Sequence, residues 1–364
     1  MFDFIPVEIY TSLQYFIILF LVLLILLYSF SGTLSNPHIL QAFSSWGVFF
    51  VVFFALYIGQ RQVSNQFGDT VNYNRVYSAL QSGNRFVIKQ DYLFNYLMVF
   101  CSKFMSVRSF FQVVDLLYIV PVVLFCRKYF GTYWFFAFIM FVGSFSFWTY
   151  GVNGLRNGLG TAIFILALYF YDKKVWMYIC LIMSYFMHAS LIIPIAALIV
   201  SSLYKNPKIY FYLWLAAIPL SLVGGSAWSS FFANIGFAED RTGGYLTGGS
   251  DEYNDQFSQT GFRIDFLLYS ASAVFAGWYF IFKKKIVDPF YIHLFGIYCI
   301  ANAFWILVIT AAFSNRFAYL SWFLMPAVIA YPMFRYKIWD DQNRRFAVIL
   351  FLYFMFTFFM NVIK

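Results

Sequence analysis

Residues 14–30 read QYFIILFLVLLILLYSF. The run carries no charge, and as a helix it reaches about 25 Å, most of the ~30 Å hydrocarbon core of a bilayer. Comparable apolar runs recur at about 45–59, 109–126, 133–149, 157–172, 175–203, 209–224, 263–282, 289–313, 317–334 and 346–362. None shows the strand-type alternation of a membrane barrel. The 364 residues are 62% hydrophobic and 25% aromatic, and only 11% are charged, with a mean hydropathy of +0.74. A soluble domain carries roughly twice that charge fraction. These runs predict an all-α, polytopic transmembrane helical bundle of about 12 spans, forming a single integral membrane domain over 1–364. No small-residue cleavage site follows the first run, so no removable signal peptide is expected. The four cysteines lie in or beside apolar stretches without metal-ligand spacing and read as packing residues.

Orientation follows from the basic clusters. Arg127-Lys128, Lys173-Lys174, Lys205/Lys208, Lys283-Lys284-Lys285 and Arg335/Lys337/Arg344/Arg345 sit in short connections and are expected on the cytoplasmic side. This holds together only if 175–203 crosses twice, broken at MHAS (187–190). The scheme leaves 60–108, 225–262 and the turns at 150–156 and 313–316 outside, with both termini. The mixed segment 91–106, DYLFNYLMVFCSKFMS, reads as an interfacial helix beside the first external loop. Thirteen basic residues then face the cytoplasm, nine of them Lys, and eleven face outward, eight of them Arg. Arginine offers a planar fork of donors that suits phosphate, although surface Arg also snorkels to membrane interfaces.

Five stretches hold candidate chemistry. In IGQRQVSNQFGDTVNY (58–73), Arg61 follows an apolar helix. Asp69-Thr70 reads either as the N-cap of a helix over about 70–82, with Tyr73 and Tyr77 on one face, or as a carboxylate able to take a proton from a sugar hydroxyl. In NGLRNGLG (153–160), Gly154 and Gly158 suit close helix packing but do not explain Arg156. At a helix start, Arg156 and the first free N–H groups form an anion site. In FMHASLIIP (186–194), His188 marks the break in a long run; it reads as an inter-helix hydrogen bond, a base or a phosphate ligand, with Ser190 as a cap for the following half-helix. The 225–262 loop carries Arg241 and Tyr245 among many glycines, which suits a sugar-contacting lid. In SNRFAYLSW (314–322), Arg316 and Tyr319 open another helix beside an Asn. No P-loop, HExxH, Asp-x-Asp pair or EF-hand spacing is present, DEYND (251–255) included.

Taken in order, these residues resemble the EpsG/Wzy group of polysaccharide polymerases: Arg61 with Gly68-Asp69-Thr70-x-x-Tyr73, then Gly154-Leu155-Arg156-Asn157-Gly158, then His188-Ala189-Ser190 with Pro194, then Arg241-x-x-x-Tyr245 and Arg316-x-x-Tyr319. The likeness spans about 58–334, with Asn157 where Gln is expected. It implies a fold similar to the GT-C membrane glycosyltransferases, with an acidic first external loop and interfacial helices. It also implies an O-antigen-type polymerase of the bacterial inner membrane. Such an enzyme joins undecaprenyl-pyrophosphate-linked repeat units on the periplasmic side without a metal or other cofactor. On that reading Arg156 and Arg316 hold the pyrophosphate, assisted by Arg61 or Arg241, and Asp69 or His188 is the base. Tyr73, Asn157, Tyr245 and Tyr319 contact substrate. The partners are lipid-linked glycans, membrane lipids and a separate chain-length regulator, and no nucleic acid. A ligase, a flippase or transporter of the same lipid-linked sugar, and a membrane acyltransferase are the rival classes. The few mid-membrane charges, Asp115 and Asp265, speak against a transport path.

Overall fold

The computed structural model describes residues 2–84, 86–232, 261–311 and 314–363, which are helical wherever they are regular. They fall into two compact units, 1–191 with 333–364, and 192–332.

The first unit contains α1 (Val7–Phe30), α2 (Pro37–Gly59), α3 (Thr70–Gln81), α4 (Tyr92–Ser102), α5 (Val107–Phe130), α6 (Trp134–Val142), α7 (Phe145–Val152), α8 (Leu155–Tyr169) and α9 (Lys174–Met187). The second begins with α10 (Ile192–Leu203) and continues through α11 (Pro207–Gly224), α12 (Ser226–Phe232), α13 (Ile264–Trp278), α14 (Pro289–Leu307) and α15 (Asn315–Trp322). α16 (Met325–Arg335) returns the chain to the first unit, which α17 (Gln342–Phe358) completes.

Local sequence explains several starts. Asn36-Pro37, Asn206-Pro207 and Asp288-Pro289 each place a side-chain acceptor at the N-cap and a proline at the first helical position. The cap satisfies an orphan N–H, and proline has none to lose. Asp288 accepts from Phe290 and Tyr291 N–H at 2.9 and 3.1 Å, and its other oxygen takes the Tyr331 hydroxyl at 3.0 Å. In the second unit, α14 is the central helix, packed by α10, α11, α13 and α15. Its buried Asn302 accepts from Trp214 at 2.7 Å and donates to Ser270 and Ser321 at 3.2 and 2.9 Å, so one amide ties four helices. Such a fully satisfied network specifies a packing in an otherwise interchangeable apolar core.

In the first unit, α5 is the central element, touching α2, α6 and α8. α1 and α2 are pinned reciprocally. The Tyr10 hydroxyl donates to the Tyr57 carbonyl at 2.6 Å, Tyr57 donates to that of Tyr10 at 2.8 Å, and their rings stack at 4.2 Å. Outward-facing Phe16, Phe20, Leu27, Trp46 and Phe49 remain exposed, as lipid-facing positions do.

Eight helical segments are long and apolar enough to cross a membrane among the described residues: Val7–Phe30, Pro37–Gly59, Val107–Val142, Pro207–Gly224, Ile264–Lys283, Pro289–Leu307, Asn315–Arg335 and Gln342–Ile363. The chain is a multi-pass helical membrane protein. The expected count of about 12 spans exceeds this because the runs at 109–126 and 133–149 share the one segment Val107–Val142, and because Leu155–Tyr169, Lys174–Met187 and Ala189–Leu203 are short. A helix of 15 residues, as α8 is, covers about 22 Å. The break expected at MHAS is present, since His188 leaves α9 in an extended conformation. The ends of these short helices carry Arg156, Asn157 and His188.

Arg108, at the start of α5, forks onto Asp3 with two 2.8 Å bonds. At the other end of α5, Lys128 bonds Asp172 and the Tyr169 carbonyl at 2.6 Å each, and Arg344 donates to the Phe30 carbonyl at 3.1 Å.

Gly158 shows why the 153–160 stretch is glycine-rich. A Cβ there would fall on the carbonyl oxygen of Tyr150 in α7, a backbone atom with no rotamer to change. Gly158→Ala is therefore expected to lower stability by about 1–3 kcal/mol and to tilt the start of α8. A thermal melt in detergent alongside an activity assay checks this, and an unchanged melting temperature contradicts it.

Candidate active site

Four chain segments meet at one end of the first unit: the start of α3, the residue before α4, the start of α8 and the turn after α9. Arg156 is their shared partner. Its Nη1 donates to Asp91 Oδ2 at 2.6 Å and its Nε to the Tyr73 hydroxyl at 3.3 Å. The guanidinium side chain is 25% exposed, whereas the Asp91 side chain is 4% exposed. Asp91 Oδ1 accepts the Ala189 N–H at 3.4 Å, which brings the turn after His188 to the same carboxylate.

Arg156 stands in the first turn of α8, whose N-cap, Gly154, has no side chain to bond the free N–H groups. Those groups, the dipole and the guanidinium are the ingredients of an anion site. Asn157, next on the helix, accepts the Ser190 hydroxyl at 2.9 Å. Ser190 thus ties α8 to the His188 turn, and its hydroxyl meets Asn157 and His188 in place of the expected cap. A further glycine sets the spacing. Gly68 has φ +59, and a Cβ there would fall on the Asn153 side chain. This lets Asn153 accept the Asp69 N–H at 2.8 Å.

Asp69 occupies the N-cap position of α3, but its side chain makes no capping bond. The cap reading is therefore corrected: Oδ1 accepts from the Asn72 amide at 3.1 Å, and the carboxylate acts electrostatically on both Tyr73 and Arg156. Tyr73 and Tyr77 share the inner face of α3, against Phe94 and Phe110 at 5.6 and 5.1 Å. Burial pushes the Tyr73 phenol up, against the pull of Arg156, so it stays protonated and can donate.

His188 is pulled down to about 4, first by burial and then by Arg156, with Asp91 opposing. It is neutral at physiological pH. Its Nδ1 lies 2.7 Å from the Ser190 hydroxyl and accepts the Ser190 N–H at 3.2 Å.

Arg61 sits elsewhere in the chemistry. It is fully buried, with Nη1 bonded to the Ile58 carbonyl at 2.7 Å and to Asp115 at 3.2 Å, and Nη2 bonded to the Val152 carbonyl at 3.0 Å. Its guanidinium also lies 4.9 Å from the Phe111 ring centre. The expected pyrophosphate role of Arg61 gives way to an internal one. It joins the ends of α2 and α7 to α5, and Val152 also accepts from Thr70 at 3.2 Å. Arg61 thereby holds the backbone that leads into Asn153 and Arg156.

Arg316 and Tyr319 belong to the second unit. Arg316 is exposed at the start of α15, while Tyr319 is buried, takes the Asn315 amide at 3.1 Å and packs 5.7 Å from Trp322. Arg241 and Tyr245 lie outside the described residues. No cluster of three or more His, Cys, Asp or Glu suited to a metal exists among the described residues.

The EpsG family model matches residues 45–364, from within α2 to the end of the chain. The chain belongs to the EpsG family. Membership supports a polysaccharide-polymerase-like function and a glycosyltransferase-like enzyme. No curated protein and no solved structure matches it. The residue that sequence reading passed over in this EpsG-family chain is Asp91. It begins the segment read as an interfacial helix, and an Asp before an apolar helix reads as a cap. Its side chain makes no capping bond and turns to Arg156 instead.

Proposed function

We propose that the chain joins undecaprenyl-pyrophosphate-linked oligosaccharide repeat units at the periplasmic face of a bacterial inner membrane, as a polymerase of O-antigen or a related surface polysaccharide. The observation that carries this reading is Arg156. It is a partly exposed guanidinium at an uncapped helix start, ringed by Asp69, Tyr73, Asp91 and His188 within an EpsG-family chain.

In the reaction, an acceptor sugar hydroxyl attacks the anomeric carbon of the donor glycan. The new C–O bond forms as the bond to the lipid diphosphate breaks, and the diphosphate leaves with the electron pair. The hydroxyl proton passes to a carboxylate. Arg156 and the N–H groups opening α8 meet the charge that develops on the leaving group. Arg316 is retained as a second cation from the sequence pattern, and Arg241 with Tyr245 as contacts from the long loop. Asp69 is the base of first choice, because its carboxylate is not engaged in capping. His188 is the second choice, as a neutral imidazole beside Asp91 and Arg156. Tyr73 and Asn157 shape the substrate surroundings at Arg156, and Tyr319 is retained as a substrate contact from the sequence pattern alone.

Loss of the chain in its host is expected to leave single repeat units on the lipid core. A ligase would leave no repeats there, and a flippase would leave lipid-linked repeats on the cytoplasmic face. With purified lipid-linked repeats, Asp69→Asn is expected to slow polymerisation by about 10²–10⁴-fold and His188→Ala by less. Full rate in Asp69→Asn transfers the base to His188.

A further inference from the structure

We propose that Asp91 is a resident counter-ion that occupies a phosphate place on Arg156 and is displaced when the diphosphate binds. This rests on the reading of Arg156 as the diphosphate ligand and concerns how that site fills and empties. Asp91 makes the bonds expected of a bound phosphate oxygen pair. One oxygen takes the guanidinium at 2.6 Å and the other takes the Ala189 N–H at 3.4 Å, at the start of the turn after His188.

Charge bookkeeping requires an exchange. The cluster holds one guanidinium, Arg156, against two carboxylates, Asp69 and Asp91, while His188 is neutral and the Tyr73 phenol is protonated. A diphosphate added to this set meets net negative charge. If it takes the Arg156 bond from Asp91, the like charges separate and the guanidinium keeps an anionic partner throughout.

The backbone is built for that movement. Asp91 has φ +50 and ψ +46, a left-handed conformation uncommon outside glycine though reached by Asp and Asn. The side-chain bonds to Arg156 and Ala189 accompany that conformation. Release of the carboxylate frees the Gln90–Asp91 link to relax, while Asn95 still holds the Gln90 carbonyl at 2.8 Å. After transfer, Asp91 reclaims Arg156 and helps expel the lipid diphosphate, so its charge sets product affinity.

The test is titration of the purified full chain in detergent with inorganic pyrophosphate by calorimetry, for wild type, Asp91→Asn, Asp91→Gly and Arg156→Ala. Both Asp91 variants are expected to bind at least tenfold tighter than wild type and, on lipid-linked repeats, to show a lower kcat with a lower KM. Equal or weaker binding in the Asp91 variants overturns the proposal, because a residue that only positions Arg156 would weaken binding when lost. Asp91→Gly accepts the left-handed backbone without strain and decides the matter if Asp91→Asn does not fold. Failure of both to fold gives Asp91 a purely structural place and also overturns the proposal. The reading of Arg156 itself fails separately, if Arg156→Ala binds pyrophosphate as wild type does or if no form binds it.

Discussion

Arg156→Ala is expected to lower the polymerisation rate of the purified chain by about 10²–10³-fold, the usual loss when one donor to a developing anionic charge is removed. Arg156 bonds both Asp91 and Tyr73, so its removal also leaves a 4% exposed carboxylate without this cation. The measurement must therefore separate lost chemistry from lost structure. Arg156→Lys does so. It keeps a charge for Asp91 but loses the planar fork that reaches Tyr73 and a phosphate together. It is expected to retain the wild-type melting temperature in detergent while losing most of the rate. Equal rates in Arg156→Ala and wild type, with both proteins folded, contradict the assignment.

The largest expected stability effect lies at Arg61 and Asp115, both fully buried. Arg61→Met leaves the Asp115 carboxylate uncompensated inside the membrane domain, and breaking such a pair from one side costs about 3–5 kcal/mol. The Ile58 and Val152 carbonyls lose a donor as well. The double variant Arg61→Met/Asp115→Leu removes both charges and is expected to recover most of the loss, because an apolar pair of similar volume packs there without desolvating ions. Thermal unfolding of the two single variants and the double variant in detergent makes the comparison. A single variant as stable as wild type shows that the pair does not hold the core. Activity should track Arg61 only indirectly, through the Val152 carbonyl and the Asn153 side chain that receives the Asp69 N–H.

The apolar runs made the helical membrane fold legible, because the bilayer imposes one length and one composition on every spanning helix. The break at His188 was legible for the same reason, as a polar group inside a run too long for one span. Helices shortened at the site were harder to read. The ends of α7, α8 and α9 are set by Gly154, by the Tyr150–Gly158 contact and by the Asp91–Ala189 bond, none of which alters local hydropathy. Arg156 stood out because its charge had no role in orientation. Arg61 looked like its equal in sequence, and only the pairing with Asp115, 54 positions away, shows that it is an internal brace. Asp91 was hidden by its position. An acid before a helix has a standard local use, and its turn toward Arg156, 65 positions on, depends on tertiary structure alone.

The account turns on where a lipid diphosphate binds. An experimental structure of the full chain with undecaprenyl pyrophosphate tests this most directly. The expected result is phosphate density within about 3 Å of the Arg156 guanidinium, against the N–H groups that open α8, with the Asp91 carboxylate moved off Arg156. Phosphate density away from the start of α8, with the Arg156–Asp91 bond intact, would contradict it.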